Sequence, residues 1–152
     1  FDICKLIRDL VDSFEIKMKE KGIEITYEFA NNKSIFVNAD NFRITQVMSN
    51  LIVNSLNYGV ENGTIEIITK NLDKEKLLVR IIDNGQGIPE DDLPRIFERF
   101  YRVDKTRNRQ EGGSGLGLAI VKHIVEAHNE IVYVESSLNV GSEFSFTLTK
   151  SN

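Results

Sequence analysis

Two stretches of alternating apolar and polar residues, each turned back on itself, constrain this chain more than any other feature. Thr64-Ile-Glu-Ile-Ile-Thr69 and Leu77-Leu-Val-Arg-Ile-Ile82 flank a polar turn at Asn71 to Glu75, and Ile131 to Glu135 pairs in the same way with Glu143 to Leu148 across Gly141. A period of two sends alternate side chains to opposite faces of a sheet, so both stretches read as β-hairpins with one buried face. On that face Phe144 and Phe146, alternating with Ser145, are expected in the core. Ile23 to Phe29 reads as a further half-buried strand and Ile35 to Val37 as a short one.

The segments that bury this face repeat every 3.6 residues. Residues 3 to 21 carry Ile3, Leu6, Ile7, Leu10, Val11, Phe14 and Met18 at helical spacing and stop at Gly22. Asp40 is placed to cap a second helix that runs to about Tyr58 and ends at Gly59, and Leu116 to Ala127 is a third. Pro89-Glu-Asp-Asp predicts the start of a short helix carrying Leu93, Ile96 and Phe97. Helices interspersed with hairpins predict an α+β fold: a two-layer α/β sandwich, with one mixed, mostly antiparallel sheet of about five strands and three main helices on one face. With 152 residues, 41% of them hydrophobic, residues 1–152 are expected to form a single domain.

No apolar run approaches the roughly 20 residues of a membrane-spanning helix, and the first residues lack a signal pattern, so a cytoplasmic segment is expected. The lone Cys4 has no internal disulfide partner, in keeping with a reducing compartment. A net charge of −4 argues against a nucleic-acid or anionic-lipid surface. Charge is nonetheless concentrated: Arg95, Arg99, Arg102, Lys105, Arg107 and Arg109 face only Glu98 and Asp104 within one short stretch, which suits a small, highly charged anion, a partner's acidic surface or nucleic acid. Residues 101 to 114 of it have no periodicity and predict a long functional loop, with Phe97 and Phe100 either anchoring its base or packing in the core.

Three motifs carry the chemistry. On the second helix Arg43, Gln46, Asn50, Asn54 and Asn57 fall within an arc of about 80° beside an apolar face. Asparagine is a mediocre helix former, so helicity alone does not select three of them, and an amide oxygen is a neutral hard ligand suited to Mg²⁺. Asp83-Asn-Gly-Gln-Gly87 places a carboxylate where a strand ends and the chain turns; a carboxylate only accepts, so it can select an amino group such as that of adenine, while Asp-Asn-Gly is equally the signature of a plain turn. Gly85 and Gly87 would let the backbone approach a flat ring.

The run Gly112-Gly-Ser-Gly-Leu-Gly117 feeds a helix, whose first N–H groups are free for an anion. It is no Walker loop, because Leu118-Ala119 stands where Lys-Ser or Lys-Thr is required, and it lacks the spacing of the dinucleotide fingerprint. Leu116 occupies the glycine position of a nucleophile elbow around Ser114. His123 and His128 lie about 140° apart on their helix, cannot clamp one metal, and read as surface or packing residues.

Together with Arg95-Ile-Phe-Glu-Arg-Phe-Tyr-Arg102 and Gly141-Ser-Glu-Phe144, these motifs make nearly the whole chain resemble the catalytic ATP-binding domain of bacterial sensor histidine kinases, in particular the PhoR-like, orthodox type. That group shares the Bergerat ATP-binding fold with Hsp90, gyrase and MutL. The resemblance implies ATP and Mg²⁺ as cofactors, with Asn54 as metal ligand and Asn50 as a second polar contact. It implies Asp83 as adenine reader, Tyr58, Gly85, Gly87 and Ile88 around base and ribose, and Gly113, Ser114, Gly115, Leu116 and Gly117 at the phosphates. Arg99, Arg102 and Lys105, in or beside a lid at 101–114, are its candidates for the γ-phosphate.

The family usually has Lys or Arg where Asn57 stands, and Gly-Gly where Asn129-Glu130 stands. It donates the γ-phosphate to a histidine on a separate dimerisation and phosphoacceptor domain, for onward transfer to a response-regulator aspartate. Neither histidine here has an acceptor context. The resemblance therefore implies a domain, monomeric alone, of a homodimeric, membrane-anchored sensor, which binds ATP and no nucleic acid. An ATP hydrolase of the Hsp90 or MutL kind is one alternative; it normally carries an acid at the position of Asn50. A nucleic-acid-binding module, reading Arg95 to Arg109 with Phe100 and Tyr101 interleaved as its surface, is the other.

Overall fold

The computed structural model describes residues 1–30, 34–102 and 116–151. Lys105, Gly113, Ser114, Gly115 and nearly all of the expected lid lie outside the described residues. The chain forms helices α1 (Ile3–Ser13), α2 (Glu15–Lys21), α3 (Asn41–Tyr58) and α4 (Gly117–Ala127). Strands β1 (Glu24–Glu28), β2 (Thr64–Asn71), β3 (Lys76–Asp83), β4 (Val132–Ser137) and β5 (Gly141–Thr149) make one sheet in the order β1-β2-β3-β5-β4. Only β1 and β2 run parallel, since α3 carries the chain back across the sheet between them; the other neighbours are antiparallel. The α+β sandwich is as expected.

The period-two pattern decides which face is covered. Ile65, Ile67, Leu77, Val79, Ile81, Phe144, Phe146 and Leu148 are buried with Ile3, Ile7, Ile44, Val47, Met48, Leu51 and Ile52 of the helices in one core. Each such side chain contributes about 1.5–3 kcal/mol when fully buried. Glu24, Glu66 and Glu135 lie exposed on the opposite, uncovered face.

Asp2 caps α1, its Oδ1 accepting from Cys4 N (3.0 Å) and Ile35 N (3.1 Å), and Asp40 caps α3 by accepting from Arg43 N (3.1 Å). His128 ties α4 to α3: its Nε2 accepts from Asp40 N (3.1 Å) while Nδ1 meets the Ile124 carbonyl (2.9 Å). A packing role is thus what His128 has. Glu130, beside Asn129 at φ 59°, accepts from Lys76 Nζ, Thr147 Oγ1 and Thr149 Oγ1, each at 2.8 Å.

Three expectations need correction. The first helix is not continuous: Ser13 Oγ bonds back to Leu10 O (2.6 Å), Phe14 N bonds to Val11 O, and the tightened turn separates α1 from α2. Ile35 to Val37 forms isolated bridges to Asp2 and Lys150 rather than a strand. The helix after Pro89 reduces to the 3₁₀ turn Leu93–Arg95, because Pro94 has no N–H to continue it. Gly59 ends α3 as expected, in extended backbone (φ −72°, ψ 160°), where Lys21 Nζ satisfies the Leu56 carbonyl (2.9 Å).

Candidate functional site

Helix α3 is the spine of the site. Its apolar positions fix which way it rolls, and the asparagine stripe beside them is left half-buried along the top of the helical layer. Asn50 Nδ2 donates to the Gly117 carbonyl (3.3 Å), which brings the stripe to the first residue of α4. Asn54 and Asn57, further along, have no hydrogen-bond partner among the described residues. Ser55, fully buried, faces Asp83, and the Tyr58 carbonyl accepts from Gln86 N (3.2 Å). At 1.5 Å per residue, Asn50 and Tyr58 hold the two ends of the site about 12 Å apart.

Asp83, only 7% exposed, closes β3 between Ile65 of β2 and Ser142 of β5. Its Oδ1 accepts from Gly85 N (2.9 Å), and the Ser55 hydroxyl approaches without full hydrogen-bond geometry. Burial raises the carboxyl above the usual carboxylate range, opposed in part by the Gly85 N–H, the Ser55 hydroxyl and the Ser142 backbone. A buried acceptor of this kind favours a ligand that brings its own donor.

The loop after Asp83 is held from two sides. Asn84 Oδ1 accepts from Thr64 N (2.8 Å), Asn139 N donates to Gln86 O (2.6 Å), and Ile88 N donates to Ser136 Oγ (2.7 Å). Here the expectation for the two glycines changes. A Cβ on Gly85 would lie 2.5 Å from Tyr58 O, and one on Gly87, at φ +74°, 2.2 Å from Ser137 O. Their missing side chains make room for the protein's own backbone, wedging the loop between α3 and the β4–β5 turn, rather than for a ring. Half-buried Ile88 packs against the core below it.

The other end of the site suits an anion. Helix α4 starts at Gly117, with Leu116 at the N-cap position, and among the described residues no side chain caps it and no atom lies within 4 Å of the Cβ direction of Gly117. The uncapped first turn has N–H groups to offer. Among the described cations, Arg95 is engaged by Glu98 (3.1 Å) and lies 4.4 Å from the Tyr101 ring, while Tyr101 itself bonds Asp92. Arg99 is exposed. Arg102 differs: its Nε and one Nη are buried without a partner among the described residues.

The described residues contain no group of three or more His, Cys, Asp or Glu that could hold a metal. A cation here would depend on a neutral amide and on phosphate oxygens, which the unpartnered Asn54 carboxamide fits. Sequence reasoning missed Ser55 and Ser136, single hydroxyls in apolar or strand contexts whose roles arise only from tertiary neighbours.

Over residues 39–152 the sequence matches the family described as histidine kinase-, DNA gyrase B-, and HSP90-like ATPase. It is 39% identical over 147 residues to the sensor histidine kinase WalK of Bacillus subtilis (strain 168), covering 96% of the chain and 24% of WalK. The chain thus spans about a quarter of that curated relative. The solved catalytic domain of histidine kinase ThkA superposes with a TM-score of 0.85 at 32% identity, over 99% of this chain and 93% of that one. ThkA in complex with response regulator protein TrrA gives 0.80 at 30% identity, over 99% and 41%. A buried carboxylate and an asparagine stripe on one helix, in a sheet of this order, accord with that likeness: the chain belongs to the histidine kinase-, DNA gyrase B- and HSP90-like ATPase family, as a histidine-kinase catalytic domain.

Proposed function

We propose that this domain binds Mg-ATP along α3 and presents the γ-phosphate to a histidine on a separate dimerisation domain of the same protein. Asp83 accepts from the adenine amino group. Asn54 lends its amide oxygen to Mg²⁺, which neutralises phosphate charge when bound. Asn50 fixes α4 so that its uncapped N-terminus meets the phosphates with Gly117 and Leu116, and Asn57 and Tyr58 flank the nucleotide. Arg102 is the cation for the γ-phosphate, with Arg99, Lys105, Gly113, Ser114 and Gly115 as further contacts from a lid at 101–114. Catalysis is then positioning and charge stabilisation, and any base for the acceptor lies on the other domain.

One observation carries this reading best: the guanidinium N–H groups of Arg102, buried and without a partner among the described residues, call for an anion, in a domain of an ATPase family. The complex of ThkA with TrrA supports a response regulator as the final acceptor. No helix among the described residues is long and apolar enough to cross a membrane. In this reading the domain is a cytoplasmic, monomeric unit of a homodimeric, membrane-anchored sensor. The test is transfer of label from γ-labelled ATP to the acceptor domain of the full-length protein, added in trans. Labelled acceptor histidine is expected; steady ATP turnover by the domain alone, with no transfer, would favour the hydrolase alternative.

A further inference from the structure

The edge strand β4 pairs its backbone only with β5 among the described residues. Thr147 N donates to Ile131 O, so the odd-numbered residues of β4 face β5 and the even-numbered ones turn their N–H and C=O outward. Val132, Val134 and Ser136 therefore offer a row of unpaired backbone groups. The devices that usually blunt an edge are scarce: β4 has no proline, no lysine and no bulge, and Ile131 and Tyr133 stand 55% and 46% exposed on the uncovered face of the sheet.

Charge says what kind of strand fits there. Register places Glu135 directly across from Glu143, a like-charge pair that destabilises a sheet. Glu143 is answered by Arg80, whose Nε and Nη2 meet its two oxygens at 3.0 and 2.8 Å. Glu135, on the outer strand, is exposed and has no ion pair among the described residues; with Glu66 on the same face it shares only a longer-range attraction to Arg80, which Glu143 already engages. A second copy would not mend this. In a two-fold antiparallel pairing centred on Val134, Glu135 meets Tyr133 of the other copy, and β4 contains no Lys or Arg to bring.

We propose that the free edge of β4 is a docking site for an extended, basic segment of a partner protein, which adds a strand to the sheet. Backbone bonds to Val132, Val134 and Ser136 hold it, a lysine or arginine pairs with Glu135, and an apolar side chain covers Tyr133. The site is separate from the nucleotide contacts, although Ser136 also holds the loop after Asp83.

The probe is a short acetylated peptide alternating valine with threonine, bearing lysine at the position that pairs with Glu135, and a twin with glutamate there. With the isotope-labelled chain, the lysine peptide is expected to slow amide exchange at Val132, Val134 and Ser136. It should bind roughly tenfold more tightly than its twin, the ratio expected when an attractive cross-strand pair replaces a repulsive one. Glu135→Gln is expected to erase that ratio and Glu135→Lys to reverse it, each folded variant keeping its affinity for ATP. Binding that ignores Glu135, protection at other amides, or no binding would overturn the proposal and leave Glu135 as a guard against edge pairing. Protection of the three amides without peptide, rising with protein concentration, would also overturn it, in favour of a second copy.

Discussion

Asp83→Asn separates recognition from folding more cleanly than any other substitution in the site. Asparagine keeps an acceptor for Gly85 N, now 2.9 Å from Asp83 Oδ1, so the loop retains its anchor. Its amide N–H groups, however, replace an acceptor with donors, and a donor facing the adenine amine costs about 1–3 kcal/mol, a loss in ATP affinity of roughly five- to a hundredfold. The fold itself should respond in the other direction or hardly at all. Burial raises the Asp83 carboxyl, so the folded state holds that proton more tightly than the unfolded chain. Its ionisation then costs stability, progressively, as pH rises from the ordinary aspartate range through the raised folded value. The amide removes that penalty. Calorimetry with ATP and with inosine triphosphate, beside thermal melts at neutral pH, reads both effects. The parent should prefer ATP, and the variant should lose the preference without melting earlier by more than a few degrees. Equal affinity of the parent for both nucleotides, or an unchanged preference in the variant, would refute the reasoning.

Asn54→Ala should leave metal-free ATP binding nearly intact and abolish most of the gain on adding Mg²⁺, as titrations with and without the cation would show. Gly87→Ala combines positive φ with a Cβ 2.2 Å from Ser137 O, so urea melts should show a loss of about 2 kcal/mol or more and a weaker nucleotide site. For Glu130, burial raises the carboxyl but the bonds from Lys76, Thr147 and Thr149 outweigh it and hold the pKa below 4.5. That stabilisation is present above the unfolded value and is lost as pH falls through the folded one. Lys76→Met should therefore cost about 1–2 kcal/mol at neutral pH, the half-exposed ammonium being partly screened, and the gap from the parent should close in acid.

Helix α3 and both hairpins were legible because cap, period and turn residues agree there: Asp40 precedes a regular apolar stripe, and Gly141 separates two alternating runs. Pro94 was a local signal against a helix after Pro89 and outweighs the acids that favoured one. The break at Phe14 hangs on one hydroxyl, Ser13, bonding its own backbone, which periodicity does not register. In the candidate site, Asp83 and Asn54 stand out in the sequence as isolated chemical types, while what Gly85 and Gly87 accommodate does not. Glycine says only that space or an unusual φ is needed; which backbone fills the space, Tyr58 O or Ser137 O, is a fact of tertiary packing. Ser55 is similar, one hydroxyl among the buried apolar residues of α3, given meaning only by the strand end that it meets.

The central claim is that α3 lines one continuous nucleotide site from Asp83 to the start of α4. Amide chemical shifts of the isotope-labelled chain, followed through a titration with Mg-ATP, test it most directly. Saturable shifts are predicted at Asn50, Asn54 and Tyr58, at Asp83 to Ile88 and at Leu116 to Leu118, with the last group lost when adenosine replaces ATP. Shifts confined to another surface, or no saturable binding, would contradict the account.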